Sequence, residues 1–325
     1  MKVNIFVEDF LFFRYIGCAT AAKSLYQEIY NANGVDVMQN AYWDHADITH
    51  YHTFGPLALA HRRFTDGKTV LTAHSTPRIN EGNVAFYRAI NRHYPRIYRR
   101  FDHIVTISEP CHREVQSMIP DHPVTLIPNG IDRDFFSPDS EKRRIFRERY
   151  GIDEDETVIL TVAQQTPRKG IYDFLELAHR RPDLTWVWVG GYPYGMLSKD
   201  YFRIRDMRDR CHSHVIFTGI VPDIAEAYSG ADIFFMPSYA ETFGLVILEA
   251  LSCGLPVIAR DIEEFQSIFS DNIMYFSTIE EASATMDNES LIQEFRKQAR
   301  ESTTPYDISR VADRHIALYR ELIES

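Results

Sequence analysis

The sequence predicts an α/β protein built from two doubly wound domains, and three stretches carry that expectation. Lys2 to Val7 reads as a strand, the loop beyond it reaches Gly17, and Cys18 to Asn31 has helical apolar spacing at Ala22, Leu25 and Ile29 before Gly34 ends the helix. Thr157 to Val162 opens a second domain in the same way, as a strand followed by a loop that ends in Gly170 and leads into a helix. The densest stretch is Ala231 to Pro256, ADIFFMPSYAETFGLVILEALSCGLP. Its apolar run Ile233-Phe234-Phe235-Met236 closes on Pro237-Ser238, as a buried parallel strand does at the carboxyl edge of a sheet. Leu245, Leu248 and Leu251 then space a helix that Gly254 stops, and Pro256 prevents it from running into the next strand, Val257-Ile258-Ala259.

Composition narrows the class. A chain of 325 residues suits two domains of ordinary size, and 45% hydrophobic with 25% charged residues describes a globular protein able to bury a full core. No run approaches the ~20 apolar residues of a membrane span. Glu8 and Asp9 interrupt the N-terminal apolar run, so it reads as a first strand and not as a signal peptide. Cys18, Cys111, Cys211 and Cys253 are scattered without metal or disulfide spacing, which points to a reducing cytoplasm. The net charge of -11 argues against a nucleic-acid partner. Residues 1–140 hold 14 Lys and Arg against 15 Asp and Glu, so nearly all the excess lies in the remainder and the first half is little repelled by an anionic surface.

The chemistry of the central stretch follows from its spacing. Glu241 falls in the loop after the strand, and Glu249 lies eight residues on, about two helical turns. The first-turn amides near Phe243 to Val246 have no intrahelical partners and can receive a diphosphate or a sugar hydroxyl. Gly244 lets backbone approach such a ligand closely. A helix carboxylate suits a ribose diol, and a loop carboxylate suits single hydroxyls. Taken alone, two glutamates of this kind are ordinary solvated residues.

The whole string is more specific. Ser238, Glu241, Phe243, Gly244, Glu249, Ala250, Gly254, Pro256 and Val257 closely resemble the Glu-x7-Glu signature of retaining GT-B glycosyltransferases of the group 1 family. The resemblance implies two Rossmann-like domains facing a central cleft, with acceptor held by the first and nucleotide sugar by the second. The expected boundaries are 1–135 for the first domain, 136–154 for a linker, 155–305 for the second domain, and 306–325 for a final helix crossing back to the first. That last helix shows Val311, His315, Leu318 and Leu322 on one face.

Other positions take roles from the same likeness. His74 follows the strand-like Lys68 to Ala73; a lone histidine is commonly structural, but this loop resembles the family's sugar-touching histidine. Neighbouring Arg78 is placed toward the acceptor. Gly17 stands where the family carries a fuller glycine loop. Pro128-Asn129-Gly130-Ile131-Asp132 resembles the marker at the first domain's end. The tripeptide Asp132-Arg133-Asp134 matches a metal-binding D-x-D, but its place after a turn reads as capping and linker, so no metal and no cofactor are expected. Arg168-Lys169-Gly170 resembles the end of the family's diphosphate-binding motif, with Gln164 where its arginine stands, so Arg168 is expected to take that contact. Gly190, Ile220, Thr242, Phe243, Gly244, Leu245 and Glu249 complete the expected donor site.

One segment stands apart. Arg88, Arg92, Arg96, Arg99 and Arg100 recur at helical spacing among Phe86, Tyr87, Tyr94, Tyr98 and Phe101. Such a segment either lies in a membrane interface or is a solvated cationic face with its aromatics turned to the core. Pro95 bends or divides it.

The resemblance thus implies a retaining, metal-independent hexosyltransferase using UDP-glucose or UDP-galactose. His74, Glu241, Lys169 and Arg168 are the expected catalytic set. A membrane glycolipid such as monoglycosyl diacylglycerol is the favoured acceptor, because Arg-Lys-Gly resembles the glycolipid branch of the family. A polysaccharide or lipid-linked oligosaccharide is the alternative acceptor, and a non-catalytic nucleotide-sugar-binding protein is the alternative class. The expected location is the cytoplasm, with peripheral contact at the inner face of the cell membrane.

Overall fold

The computed structural model describes residues 1–8, 17–32, 34–81, 87–192 and 195–325. The loop ahead of Gly17 and residues 84–86 of the arginine-aromatic segment lie outside the described residues. The chain separates into two compact units, Met1–Asp132 with Tyr306–Ser325, and Arg133–Pro305.

The first unit holds β1 (Lys2–Phe6), β2 (Asp36–Gln39), β3 (Ile48–Tyr51), β4 (Lys68–Thr72), β5 (His103–Thr106) and β6 (Val124–Leu126). All pair in parallel, in the order β2-β1-β3-β4-β5-β6. Parallel strands are covered on both faces, and every residue of β3 and β5 is buried. Helix Gly17–Asn31 turns Ala22, Leu25 and Ile29 into a core shared with Val311, Ile316, Leu318 and Tyr319 of the final helix, Ile308–Glu324. The chain enters that helix beside its own earlier turn: Ile131 N donates to Tyr306 O at 2.8 Å, and Ile308 N to Ile131 O at 2.9 Å. Gly130 permits the approach, since a Cβ there would lie 2.7 Å from Ile308 Cδ1 and 2.9 Å from Ile308 Cα.

The second unit holds β7 (Val158–Val162), β8 (Thr185–Val189), β9 (Val215–Gly219), β10 (Ile233–Met236), β11 (Val257–Arg260) and β12 (Met274–Phe276). Its parallel order is β12-β11-β10-β7-β8-β9. Chain direction across the sheet therefore reverses between β7 and β10, and in open α/β sheets a ligand crevice opens beyond the carboxyl ends of such a strand pair. Trp186 and Trp188 on β8 pack edge-on to Phe174, at 5.4 and 5.0 Å between ring centroids.

The segment 136–154, expected as a linker, is largely built into this second unit. Asp139 caps helix Ser140–Tyr150, accepting from the Glu141 and Lys142 amides, and Gly151 closes it in the left-handed region at φ 66°. Its charged composition hides an anchor. Arg147 is only 1% exposed, and its guanidinium bonds Asp232 Oδ2 at 2.7 Å, Asp153 O at 2.6 Å and Gly230 O at 3.1 Å. Phe146 packs beside it so closely that a Cβ on Gly230 would meet its ring at 2.4 Å. High charge reads as solvent exposure in a sequence, but here the charge is spent on carbonyls at the unit's base.

Removing Arg147 leaves Asp232 its pair with Arg143 at 3.1 Å but takes the donor from the Gly230, Asp153 and Glu156 carbonyls, and unsatisfied buried acceptors cost about 1–3 kcal/mol each. Arg147→Ala is accordingly expected to lower the thermal midpoint of the second unit by several degrees in calorimetry. An unchanged midpoint would show the helix to be peripheral.

Candidate active site

Lys169 and Glu241 meet at the reversal between β7 and β10. The turn Pro167–Lys169 follows β7, and Gly170 ends it at φ 75°, where a Cβ would lie 2.3 Å from Pro237 O at the end of β10. That contact admits only glycine and holds the two strand ends together. Tyr239 N then donates to Arg168 O at 2.8 Å, and Arg168 Nη1 donates to Ala240 O at 2.6 Å. Within this clasp the Lys169 ammonium donates to Glu241 Oε1. Arg168 stands 3.9 Å from the other carboxylate oxygen.

Both members of the pair are nearly enclosed, at 15% and 10% side-chain exposure. Burial alone would raise the Glu241 carboxyl, but Lys169 and then Arg168 outweigh it and hold the group below its usual range. Burial likewise lowers the Lys169 ammonium, and Glu241 opposes that effect. The outcome is a nearly enclosed, paired cation at a strand's carboxyl edge, with a neighbouring guanidinium. Lysine carries three donors, so one can remain on Glu241 while others address an anionic ligand.

Gly244 precedes helix Leu245–Ser252 at φ 92° with no side-chain cap, and a Cβ there would press on Phe265 at 2.8 Å. The Phe243 ring is 2% exposed and lies edge-on to Phe269. Its expected donor contact is thus limited to the main chain, because the ring belongs to the core. Thr242 and Leu245 are half-buried in the same loop and first turn. Glu249 is buried further along that helix and accepts from the Tyr228 hydroxyl at 2.5 Å. Burial pushes its carboxyl up to about 7, with the tyrosine bond opposing.

The remaining expected donor positions divide. Gly190 adopts φ 124°, a Cβ would collide with Ala163 O at 2.1 Å, and its carbonyl accepts from Gln165 Nε2 at 2.7 Å. It shapes the strand ends, with its amide donating to Gly219 O at 2.8 Å. Ile220 is 63% exposed immediately beyond β9. Gly17 begins its helix with no atom within 4 Å of an added Cβ, so among the described residues nothing demands glycine there.

In the first unit His74 follows β4, half-buried, with Nε2 2.9 Å from His52 Nδ1. The next residue, Ser75, is tied down by Tyr94, whose hydroxyl lies 2.9 Å from its Oγ, and by Tyr98, whose hydroxyl donates to its carbonyl at 2.5 Å. These two tyrosines are buried, which resolves part of the arginine-aromatic segment: Pro95 divides it into helices Tyr87–Asn91 and Tyr94–Tyr98, and these rings face the core. Arg88, Arg92, Arg96 and Arg99 are exposed. The Arg78 main-chain amide donates to Glu114 Oε1 at 2.9 Å.

Two groups escaped the sequence reading. Arg260 ends β11 and bonds Asp173 and Pro237 O, its guanidinium lying 4.0 Å over the Tyr239 ring. It braces the loop that carries Glu241, and no local motif announces it. His52 directly follows β3, the strand next to β1 where the first sheet's order reverses, and the His50-x-His52 spacing is its one available signal.

The raised Glu249 carboxyl has two consequences. Because its folded value exceeds the ordinary 4.5, the stability it contributes is full below about 4.5 and is lost as pH rises through about 7. Accepting two ligand hydroxyls has the opposite sign, since such donors favour the ionised form. A ligand held by this carboxyl should bind about tenfold more weakly at pH 6 than at pH 8 in calorimetry, with UDP as the probe, and Glu249→Gln should flatten that dependence.

Comparison with known proteins places this geometry. Residues 142–302 match the profile described as Glycosyl transferases group 1, and residues 29–135 match Glycosyltransferase Family 4. The chain is similar to an alpha-galactosylglucosyldiacylglycerol synthase of Streptococcus pneumoniae, 31% identical across 70% of this chain and 63% of the relative. It is also similar to a processive diacylglycerol alpha-glucosyltransferase of Acholeplasma laidlawii, 33% identical across 59% of each. The chain therefore spans about three fifths of the length of these curated relatives. A solved structure, Anabaena Alr3699/HepE in complex with UDP-glucose, superposes with a TM-score of 0.81 over 99% of this chain and 100% of that one at 16% identity, a likeness of fold. With the GT-B fold in its two parallel sheets and glycosyltransferase profiles across both units, the chain belongs to the glycosyl transferases group 1 family.

Proposed function

We propose that this chain transfers glucose or galactose from a uridine diphosphate sugar to a membrane glycolipid such as monoglycosyl diacylglycerol, with retention at the anomeric carbon and without a bound metal. The observation that carries the reading is the nearly enclosed Lys169–Glu241 pair where the order of the second sheet reverses. A diphosphate leaving group needs fixed positive charge in a water-poor site, and Lys169, Arg168 and the amides about Gly244 and Leu245 supply it. Glu249 takes the ribose hydroxyls. Ile220 and the main chain at Gly190, Thr242 and Phe243 border the nucleotide, and Gly17 borders the sugar from its own unit.

In the transfer the bond between the sugar's anomeric carbon and the phosphate oxygen breaks, and a bond from that carbon to the acceptor oxygen forms. The acceptor's proton passes to the departing phosphate. Glu241 holds the transferred sugar in the second unit, His74 takes its role as a sugar contact from the resemblance of its loop, and no enzymic nucleophile is assigned. The lipid acceptor is supported by the two relatives named for diacylglycerol products, and Arg78 faces it in this reading. The exposed arginines after Tyr87 suit an anionic bilayer surface, while no described helix is long and apolar enough to cross a membrane.

Incubation with radiolabelled UDP-glucose, UDP-galactose and their GDP and ADP counterparts, with membrane lipid as acceptor, tests the proposal. Labelled lipid should form from a UDP sugar, in excess EDTA as without it. Lys169→Ala should lower kcat about 10²-fold with KM little altered, the pattern of a contact made in the transition state. Absence of lipid product from every donor would remove the reading.

A second measurement addresses the surface. Each basic residue near anionic lipid contributes about 1 kcal/mol, so reversing Arg92, Arg96 and Arg99 to Glu should sharply reduce sedimentation with phosphatidylglycerol vesicles. Sedimentation equal to the parent protein's would exclude that role.

A further inference from the structure

The first unit contains a buried group of histidines that the proposed chemistry uses only at its edge. His50 on β3 lies 2.6 Å from both the Tyr319 hydroxyl and Thr72 Oγ1. Both of its nitrogens are thus satisfied, and its ring is fixed. The His52 ring sits 4.4 Å from it, centroid to centroid, and is 4% exposed. His52 Nδ1 lies 2.9 Å from His74 Nε2. Its other nitrogen, Nε2, is buried with no hydrogen-bond partner among the described residues. The pocket that His52 lines has both apolar walls, from Leu25, Ile107 and Ile127, and polar ones, from Thr72, Asn129 and His315, none of which bonds His52 Nε2.

One proton must lie between the two rings, and it can belong to either. Burial lowers both histidines, His52 far below its usual range and His74 to about 3, so both are neutral at pH 7. If His74 donated, the neutral His52 would carry its own hydrogen on Nε2. That would be a buried N–H without an acceptor, and in folded proteins orphaned donors are rarer than under-satisfied acceptors. If His52 donates from Nδ1, its Nε2 holds only a bare lone pair, a milder defect. His74 then accepts at Nε2 and must carry its hydrogen on Nδ1.

We propose that His52 is a positioning residue that locks His74 as an Nδ1–H donor, so that His74 meets the transferred sugar through an N–H and is not a proton acceptor. This rests on the reading of His74 as a sugar contact, but the tautomer itself does not. The arrangement offers a hydroxyl oxygen a directed donor whose ring is held in place at the opposite nitrogen. It also leaves acceptance of the acceptor's proton to the departing phosphate.

Nitrogen-15 NMR of the full chain labelled at histidine, at pH 7 and without ligand, tests the lock apart from activity. His74 should show a protonated Nδ1 and a bare Nε2, and His52 a protonated Nδ1. His52→Leu should return His74 to a mixture of tautomers. His52→Asn, whose side-chain amide can stand in for Nδ1–H, should restore the lock. In transfer assays with UDP-glucose and UDP-galactose, His52→Leu should lower kcat/KM about tenfold and His52→Asn should recover most of it. A protonated His74 Nε2 in the parent protein overturns the proposal, as do His74 signals unchanged in His52→Leu. If His52→Leu fails to fold, the parent and His52→Asn spectra still decide. Loss of all transfer in the parent protein with the tautomers as stated would fault the function proposed above and leave the lock standing.

Discussion

The ion pair between Lys169 and Glu241 is the interaction on which the ligand chemistry proposed for the second unit depends. Its partners are 72 residues apart in sequence and meet only because β7 and β10 lie side by side. Enclosing two charges is costly, and it is sustained here by geometry that leaves little freedom: glycine at 170 against the Pro237 carbonyl, Arg168 on Ala240, and Arg260 braced on Asp173 and Pro237. A pair so held presents positive charge with little reorganisation when an anion arrives. Preorganised charge of this kind serves the departing diphosphate of the proposed reaction directly.

Glu249 shows how environment divides like residues between roles. Glu241 and Glu249 stand in one continuous stretch, yet the first is held ionised by two cations and the second is pushed up to about 7 by burial beside Tyr228. The difference lies in what each side chain touches. In the proposed reaction a carboxylate already paired to lysine suits the sugar next to the phosphates, and one poised near neutrality, already accepting one hydroxyl, suits further hydroxyls.

The first unit uses neutral polar groups where the second uses charge. His50 is satisfied by two hydroxyls, His52 bonds His74 through one nitrogen only, and burial keeps these rings uncharged. Tyr319 brings the final helix into this network, so the last residues of the chain help to fix groups beside β3 and β4. Tyr94 and Tyr98 play the same part on the other side, anchoring Ser75 and leaving the neighbouring arginines at the surface.

By itself the sequence determined the α/β class, the doubly wound character and the spacing of the central stretch. Strand ends, helix stops and a glycine loop are local signals, written in a few adjacent residues such as Pro237, Gly244, Gly254 and Pro256. It also marked Lys169, Glu241, Glu249 and His74 through the motifs around them. Only the tertiary structure decided that Lys169 and Glu241 pair, that Arg147 is an anchor and not part of a linker, that the Phe243 ring belongs to the core, and that His52 stands against His74. Each of these turns on which strands become neighbours and which side chains lose water. Those are properties of sheet order and burial, and no short window of sequence contains them.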